Sequence, residues 1–292
     1  MSRVFDYLLY LFAWGSGLIL VGAFAVFMGF LLSQGLPALD SSLLFGRTGM
    51  VDALLLQRVV IDGLLPALVG TLLLIFLALA AAVPFGLGAG IYLAEYAGKS
   101  SKALFSLVFD LLAGVPSIVI GLFGFSLTVF LHKRFTFITP CLLISALALA
   151  LLILPYLIRS TQTALEELPA TLRLTAAALG ADQATTIRLV LLPQAAAGIL
   201  SGIVLAIGRA AEDTAVIMLT GVVVSAGIPR SLFNSFEALP FYIYNAASQF
   251  SNQQELQRGF GAALILLILC GLLFTLAWLL RKKVTARLLY HH

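Results

Sequence analysis

The chain has 292 residues, 61% of them hydrophobic and only 10% charged, against about 45–50% and about 25% in soluble globular domains. That composition excludes a soluble domain and identifies an integral membrane protein. The net charge of +4 and pI near 9.2 do not indicate nucleic-acid binding, because Lys and Arg cap the ends of apolar segments and form no basic face.

A helix needs about 20 mostly apolar residues to cross a ~30 Å hydrocarbon core. The uncharged runs predict spans at Tyr7–Leu39, Gly63–Ala94, Leu111–Leu131 and Phe135–Ile158, a fifth beginning at Leu189, and a sixth at Gly259–Leu280. The expected fold class is an all-α membrane protein with six transmembrane helices. The first run is 33 residues long, well beyond the 7–15-residue apolar core of a signal peptide, so it reads as a retained anchor helix. The chain then divides into an anchor helix with an outer loop (1–60), a transmembrane core (61–285) with a long loop at 160–192, and a tail (286–292).

Orientation follows from Lys and Arg near the span ends. One face collects ten: Arg3, Lys99, Lys102, Arg159, Arg173, Arg188, Arg281, Lys282, Lys283 and Arg287. The other collects six: Arg47, Arg58, Lys133, Arg134, Arg230 and Arg258. The first face is assigned to the cytoplasm, with both termini, although Lys133-Arg134 count against it. Cys141 and Cys270 lie in apolar runs and read as small buried hydrophobes. His132, His291 and His292 have no ligand spacing, so no metal is expected.

Along the chain, Pro84, Gly86, Gly88, Gly90, Gly114 and Gly121 read as kink or close-packing positions. Glu95 and Asp110 flank an inner loop and are expected to be solvated. Pro116-Ser117 reads either as a kink or as a helix start whose N–H groups offer Ser117 as an anion contact. In 160–192, Thr171–Leu179 is rich in helix-forming Ala and Leu. Gly180 ends that helix, Asp182 caps a second one through Val190, and Pro193 closes the unit. Such a helix–Gly–helix either lies on lipid or docks a partner.

The stretch Arg209-Ala210-Ala211-Glu212-Asp213 follows twenty uncharged residues, Leu189–Gly208. On a continuous helix Glu212 and Asp213 both reach Arg209, at i+3 and i+4. The cluster is either a structural ion pair at a span end or part of a translocation path, the usual role of intramembrane charge. A guanidinium suits tetrahedral oxyanions, and nearby carboxylates keep binding weak enough for release. The following stretch, 224–258, holds Phe233, Phe236, Phe241, Tyr242, Tyr244 and Phe250. It reads as a loop on the headgroups or a partner-docking surface.

Residues 160–192 resemble the cytoplasmic coupling loop of ABC importer permeases, whose pattern is Glu-Ala-Ala, three residues, Gly, nine residues, a β-branched apolar residue, one residue, Leu-Pro. Ala176, Gly180, Val190, Leu192 and Pro193 occupy its places. Leu174 stands at the Glu position and Thr175 at the first Ala. "LPALVGTLLL" (Leu65–Leu74), "VPFGLGAGIYLAEYA" (Val83–Ala97), "LAGVPSIVIGLFG" (Leu112–Gly124) and "LPQAAAGILSGIVLAIGRAAEDTA" (Leu192–Ala215) resemble phosphate-specific permeases in the same order. "SLFNSFEALPFYIYNAA" is similar to the PstA branch. That family reads Arg-Ala-x-Gly-Glu-Thr where this chain has Glu212 and Asp213.

The resemblance implies a type I ABC importer permease architecture with a cytoplasmic coupling helix, in the bacterial inner membrane. It implies a PstC-like sister permease, a cytoplasmic ATPase dimer that binds ATP and Mg, a periplasmic phosphate-binding protein and a surround of membrane lipid. The chain itself has no G-x-x-x-x-G-K-[ST] loop and no cofactor is expected in it. Arg209, Glu212 and Asp213 are implied as pathway residues. A permease for sulfate or molybdate is the nearest alternative. An intramembrane enzyme is a distant one, since His132 is the only histidine before the tail.

Overall fold

The computed structural model describes residues 2–46, 63–136 and 138–289, with side chains of 5–46, 63–136 and 138–283. Arg47, Arg58, His291, His292 and the division expected near residue 60 lie outside the described residues. Among the described residues, six helices are long and apolar enough to cross a membrane.

The first, α1 (Ser2–Gly35), meets the rest of the chain near its C-terminal end. There Phe30 meets Phe260 edge-on at 5.6 Å, and Gly35 lies against Leu264. A short α2 (Ser41–Phe45) follows, capped by Asp40. Pro66 starts α3 (Leu65–Ile91), whose last turn widens into a π-turn at Tyr92–Tyr96. Proline suits a helix start because its missing N–H would have no partner there.

The predicted third span is corrected. Lys99–Ala113 forms its own helix, α4, and Ser117–Arg134 forms α5. The break falls at Gly114–Pro116, because proline disfavours helical geometry in the residue before it. Pro116 takes φ −58°, ψ 136°, so Ser117 is the first residue of a new helix.

At the centre lies α6 (Leu142–Glu166), the most buried span. Two glycine pairs spaced four apart let neighbours approach its backbone. Gly86 and Gly90 of α3 sit on Leu157 and Thr161, while Gly198 and Gly202 sit on Ala164 and Ser160. Gly121 of α5 likewise touches the backbone of Ala215 and Val216, whereas Gly88 faces open space. Small residues at i and i+4 are the usual means of close helix packing in lipid, where apolar side chains gain little by leaving the hydrocarbon. Leu149, Ile153, Leu157, Ile75 and Ala78 fill the core between these contacts.

The loop helix α7 (Ala170–Ala178) is followed by α8 (Gln183–Thr186), a π-turn (Ile187–Leu191) and α9 (Leu192–Glu212). Pro193 therefore does not close the unit, contrary to expectation. The residues from Gln183 to Glu212 run as one 30-residue helix. The π-turn ends at Leu191, two residues before the proline. A wider turn there relieves the clash a proline ring makes with the carbonyl four residues back. The second loop helix is thus the foot of the fifth span.

After α9 come the short α10 (Ala215–Thr220), α11 (Leu239–Gln249) and α12 (Gln253–Leu289). The aromatic stretch does not simply lie on headgroups. Leu142 and Leu143 N–H donate to Asn234 and Leu232 carbonyls, and Leu239 N–H donates to the buried Thr71 hydroxyl at 2.9 Å. Phe236 is fully buried, while Phe233, Tyr244 and Phe250 remain exposed.

Candidate functional site

Arg209 occupies the last turn of α9, where a cation is favoured by the helix dipole. The helix stops at Glu212 because Asp213 turns to φ −75°, ψ 119°. The Asp213 carboxylate then accepts from Val216 N–H at 2.9 Å, so it caps α10. This corrects the expected pairing of both carboxylates with Arg209. Only Glu212 pairs, its Oε1 lying 2.7 Å from Arg209 Nη1. Of the three charges, Asp213 serves the helix break itself, taking up a backbone N–H that the break leaves without a helical partner.

Tyr156, from α6, completes the cluster. Arg209 Cζ lies 5.5 Å from its ring centroid, and Nη2 donates to its hydroxyl at 3.5 Å. Arg209 Nε is buried and donates to nothing among the described residues. The side chains of Arg209 and Glu212 are 38% and 61% exposed. From Tyr156 an open groove of about 440 Å³ runs between α6 and α9. Arg159, Ser160, Thr163 and Glu167 line one side, and Ser201 and Gly202 line the other. Sequence reasoning missed Tyr156; its hydroxyl within an apolar span was the available signal.

Ser117 begins α5, the helix-start alternative of its two readings, and is half-buried. Among the described residues no hydrogen bond joins it to Arg209, so the two expected anion contacts are not directly linked.

Glu95 and Asp110 are not simply solvated, which corrects a further expectation. Both oxygens of Asp110 bind Arg159, from Nε at 3.1 Å and Nη2 at 2.5 Å. Arg159 Nη1 also donates to Ser106 and Gln162. Gln162 in turn donates to Glu166, which pairs with Lys102 at 2.6 Å. This chain of contacts ties α4 to α6. Glu95 is buried, its side chain 7% exposed, and it takes two bonds from Arg173 of α7. Arg173 also donates to the Leu165 and Leu168 carbonyls, and Gln183 donates to the Glu95 carbonyl. The loop is thereby fastened to the end of α3. Residues 78 apart leave no local signal of such a pair.

Within the loop, Gly180 has φ +82° and follows α7 as predicted. The Asp182 carboxylate accepts from Thr185 N–H at 3.2 Å, capping α8. Bonds from the Thr185 side chain and backbone hold that carboxyl below its usual range. Ala176 is buried, and Val190 and Leu192 pack on Leu165, Leu191 and Ala195. Pro193 is half-buried. Leu174 and Leu179 point outward, 70% and 84% exposed.

The binding-protein-dependent transport system inner membrane component family matches residues 86–287. The chain belongs to this family. It is a transport permease subunit and a multi-pass inner-membrane protein. The permease is 33% identical over 255 residues to the phosphate transport system permease protein PstA of Haemophilus influenzae, covering 87% of this chain and 86% of that one. It is 37% identical over 219 residues to PstA of Yersinia pestis, covering 73% and 70%. In fold it is similar to a permease chain of a bacterial alginate ABC transporter (TM-score 0.68, 15% identity, 96% of each chain). It is also similar to a chain of the inward-facing MetNI methionine transporter (TM-score 0.56, 19% identity, 82% of this chain and all of that one). At these identities the structural likeness carries the architecture alone.

Proposed function

We propose that the permease is the PstA-type subunit of an ATP-driven phosphate importer. The observation that carries this is the 33–37% identity to PstA proteins over 73–87% of the chain. It would work with a PstC-like sister permease, a cytoplasmic ATPase dimer that binds ATP and Mg, and a phosphate-binding protein on the opposite side. The face carrying Gly180 would be cytoplasmic, together with both termini. Ala176, Gly180, Val190, Leu192 and Pro193 would form the coupling loop, with the outward Leu174 and Leu179 toward the ATPase.

The groove between α6 and α9 would line this subunit's half of the pathway, with Arg209 beside it, against the lining residue Tyr156. Arg209 suits the task because its side chain is 38% exposed, with Nη1 held by Glu212 and Nη2 making only a long contact to the Tyr156 hydroxyl. A phosphate oxygen would compete with the Glu212 carboxylate for the guanidinium, which keeps binding reversible. Ser117 would supply a separate contact at the start of α5. Asp213 belongs to the site as the cap that shapes the break beside Arg209.

Uptake of labelled phosphate, sulfate and molybdate tests the substrate. Phosphate uptake is expected to dominate, and uptake of another oxyanion alone would overturn this assignment. At the site, Arg209→Gln is expected to abolish uptake while the complex still assembles. Arg209→Gln with Glu212→Gln removes both members of the ion pair, so it should assemble without transporting. Near-wild-type uptake by that double variant would make the cluster a structural ion pair. Asp213→Asn should transport, because Asn caps helices as well as Asp does.

A further inference from the structure

We propose that Tyr156 is the positioning residue for Arg209, fixing the guanidinium plane through its ring face, beside the groove that Tyr156 lines. This rests on the reading of Arg209 as a pathway residue. Arg209 has a long, flexible side chain, and Glu212 lies on the same helix and is 61% exposed. An exposed pair of that kind holds a guanidinium only weakly. The second hold comes from a different helix. The Tyr156 centroid is 5.5 Å from Arg209 Cζ, inside the ~6 Å range of cation–π attraction. The hydroxyl contact, at 3.5 Å, is at the outer limit of a hydrogen bond. The ring is therefore the stronger contact.

Two holds on different helices define the plane, while donors remain unused. Glu212 takes Nη1, Nη2 makes only the long hydroxyl contact, and Nε is buried, so the donors open to an anion are those of the two terminal nitrogens. A guanidinium held by a ring face keeps its edge donors, which a tetrahedral oxyanion accepts in pairs. Tyr156 also lines the groove itself, one α6 turn from Arg159 and Ser160. The close approach of α6 and α9 at Gly202 and Ser160 sets the spacing that brings ring and guanidinium together.

The test uses the whole complex in cells, with labelled phosphate uptake divided by the amount of permease in the membrane. Tyr156→Phe keeps the ring face and should stay within about twofold of wild type. Tyr156→Met fills the space without a π face and should fall about tenfold. Uptake near wild type in Tyr156→Met, or an equal fall in Tyr156→Phe, would overturn the proposal. Failure of both Tyr156→Met and Tyr156→Leu to reach the membrane would also overturn it, making the ring a packing element. Arg209→Gln, assayed alongside, separates the two readings. If it still transports, the pathway role fails. If it does not, while Tyr156→Met does, only the positioning role fails.

Discussion

Glu237 is 5% exposed, and its carboxylate accepts from Gly227 N–H at 2.7 Å and Ala226 N–H at 2.9 Å. Burial nevertheless pushes its carboxyl above the usual range, outweighing those two bonds. The folded chain thus holds a proton there more tightly than the unfolded chain. The resulting stability is fully present below the unfolded value of about 4.3 and is lost as pH rises through the raised folded value. Glu237→Gln keeps the accepting oxygen and removes the charge. It should melt higher than wild type at pH 8 in detergent, with the gap closing toward pH 4; a variant that melts lower at pH 8 would show the ionised carboxylate to be the stabilising form. At this scale the sequence was a partial guide. Arg209 and Glu212 were legible because three residues place them on one helical face. Asp213 was misread, since i+4 means nothing once the helix has ended. Arg173 and Glu95 meet only through the fold, so spacing could not pair them.

The loop shows which punctuation marks can be read one element at a time. Gly180 has φ +82°, and a Cβ there would meet nothing within 4 Å. The cost of a side chain is therefore wholly in the backbone, about 1–3 kcal/mol for a residue that avoids the left-handed region. Gly180→Val should let the permease reach the membrane but lower phosphate uptake at least tenfold. Gly180→Asn, which tolerates that region, should retain most of it. Equal uptake by the two, measured per subunit, would sink the account. Gly180 and Asp182 were readable because each acts on its immediate neighbours. Pro116 and Pro193 were not equally readable. Both follow apolar runs, yet one begins a new helix and the other is carried through by a π-turn. The difference lies in packing: α9 leans on α6 through Gly198 and Gly202 on the far side of Pro193.

For the whole molecule, apolar run length found six spans, because the bilayer imposes a minimum length on every one of them, but it started the third before the break at Gly114–Pro116. It could not supply the order of packing, with α6 in the middle, since glycine pairs on α3 and α9 acquire meaning only against Leu157, Ser160, Thr161 and Ala164. Orientation rests on the ten-to-six bias of Lys and Arg. In a chain with Cys141→Ala and Cys270→Ala, Gln249→Cys should react with an impermeant thiol reagent added to intact cells, and Gln183→Cys should not. The reverse pattern would invert the topology. The unbroken run from Gln183 to Glu212 has one more consequence. Thirty helical residues make a rod about 45 Å long, jointed at Gly180–Ala181 and again at Asp213–Thr214. Such a rod is a lever: tilting it by about 5° at the loop end displaces the Arg209 end by about 4 Å. The five-residue π-turn near its loop end is the point where the rod would bend as it tilts.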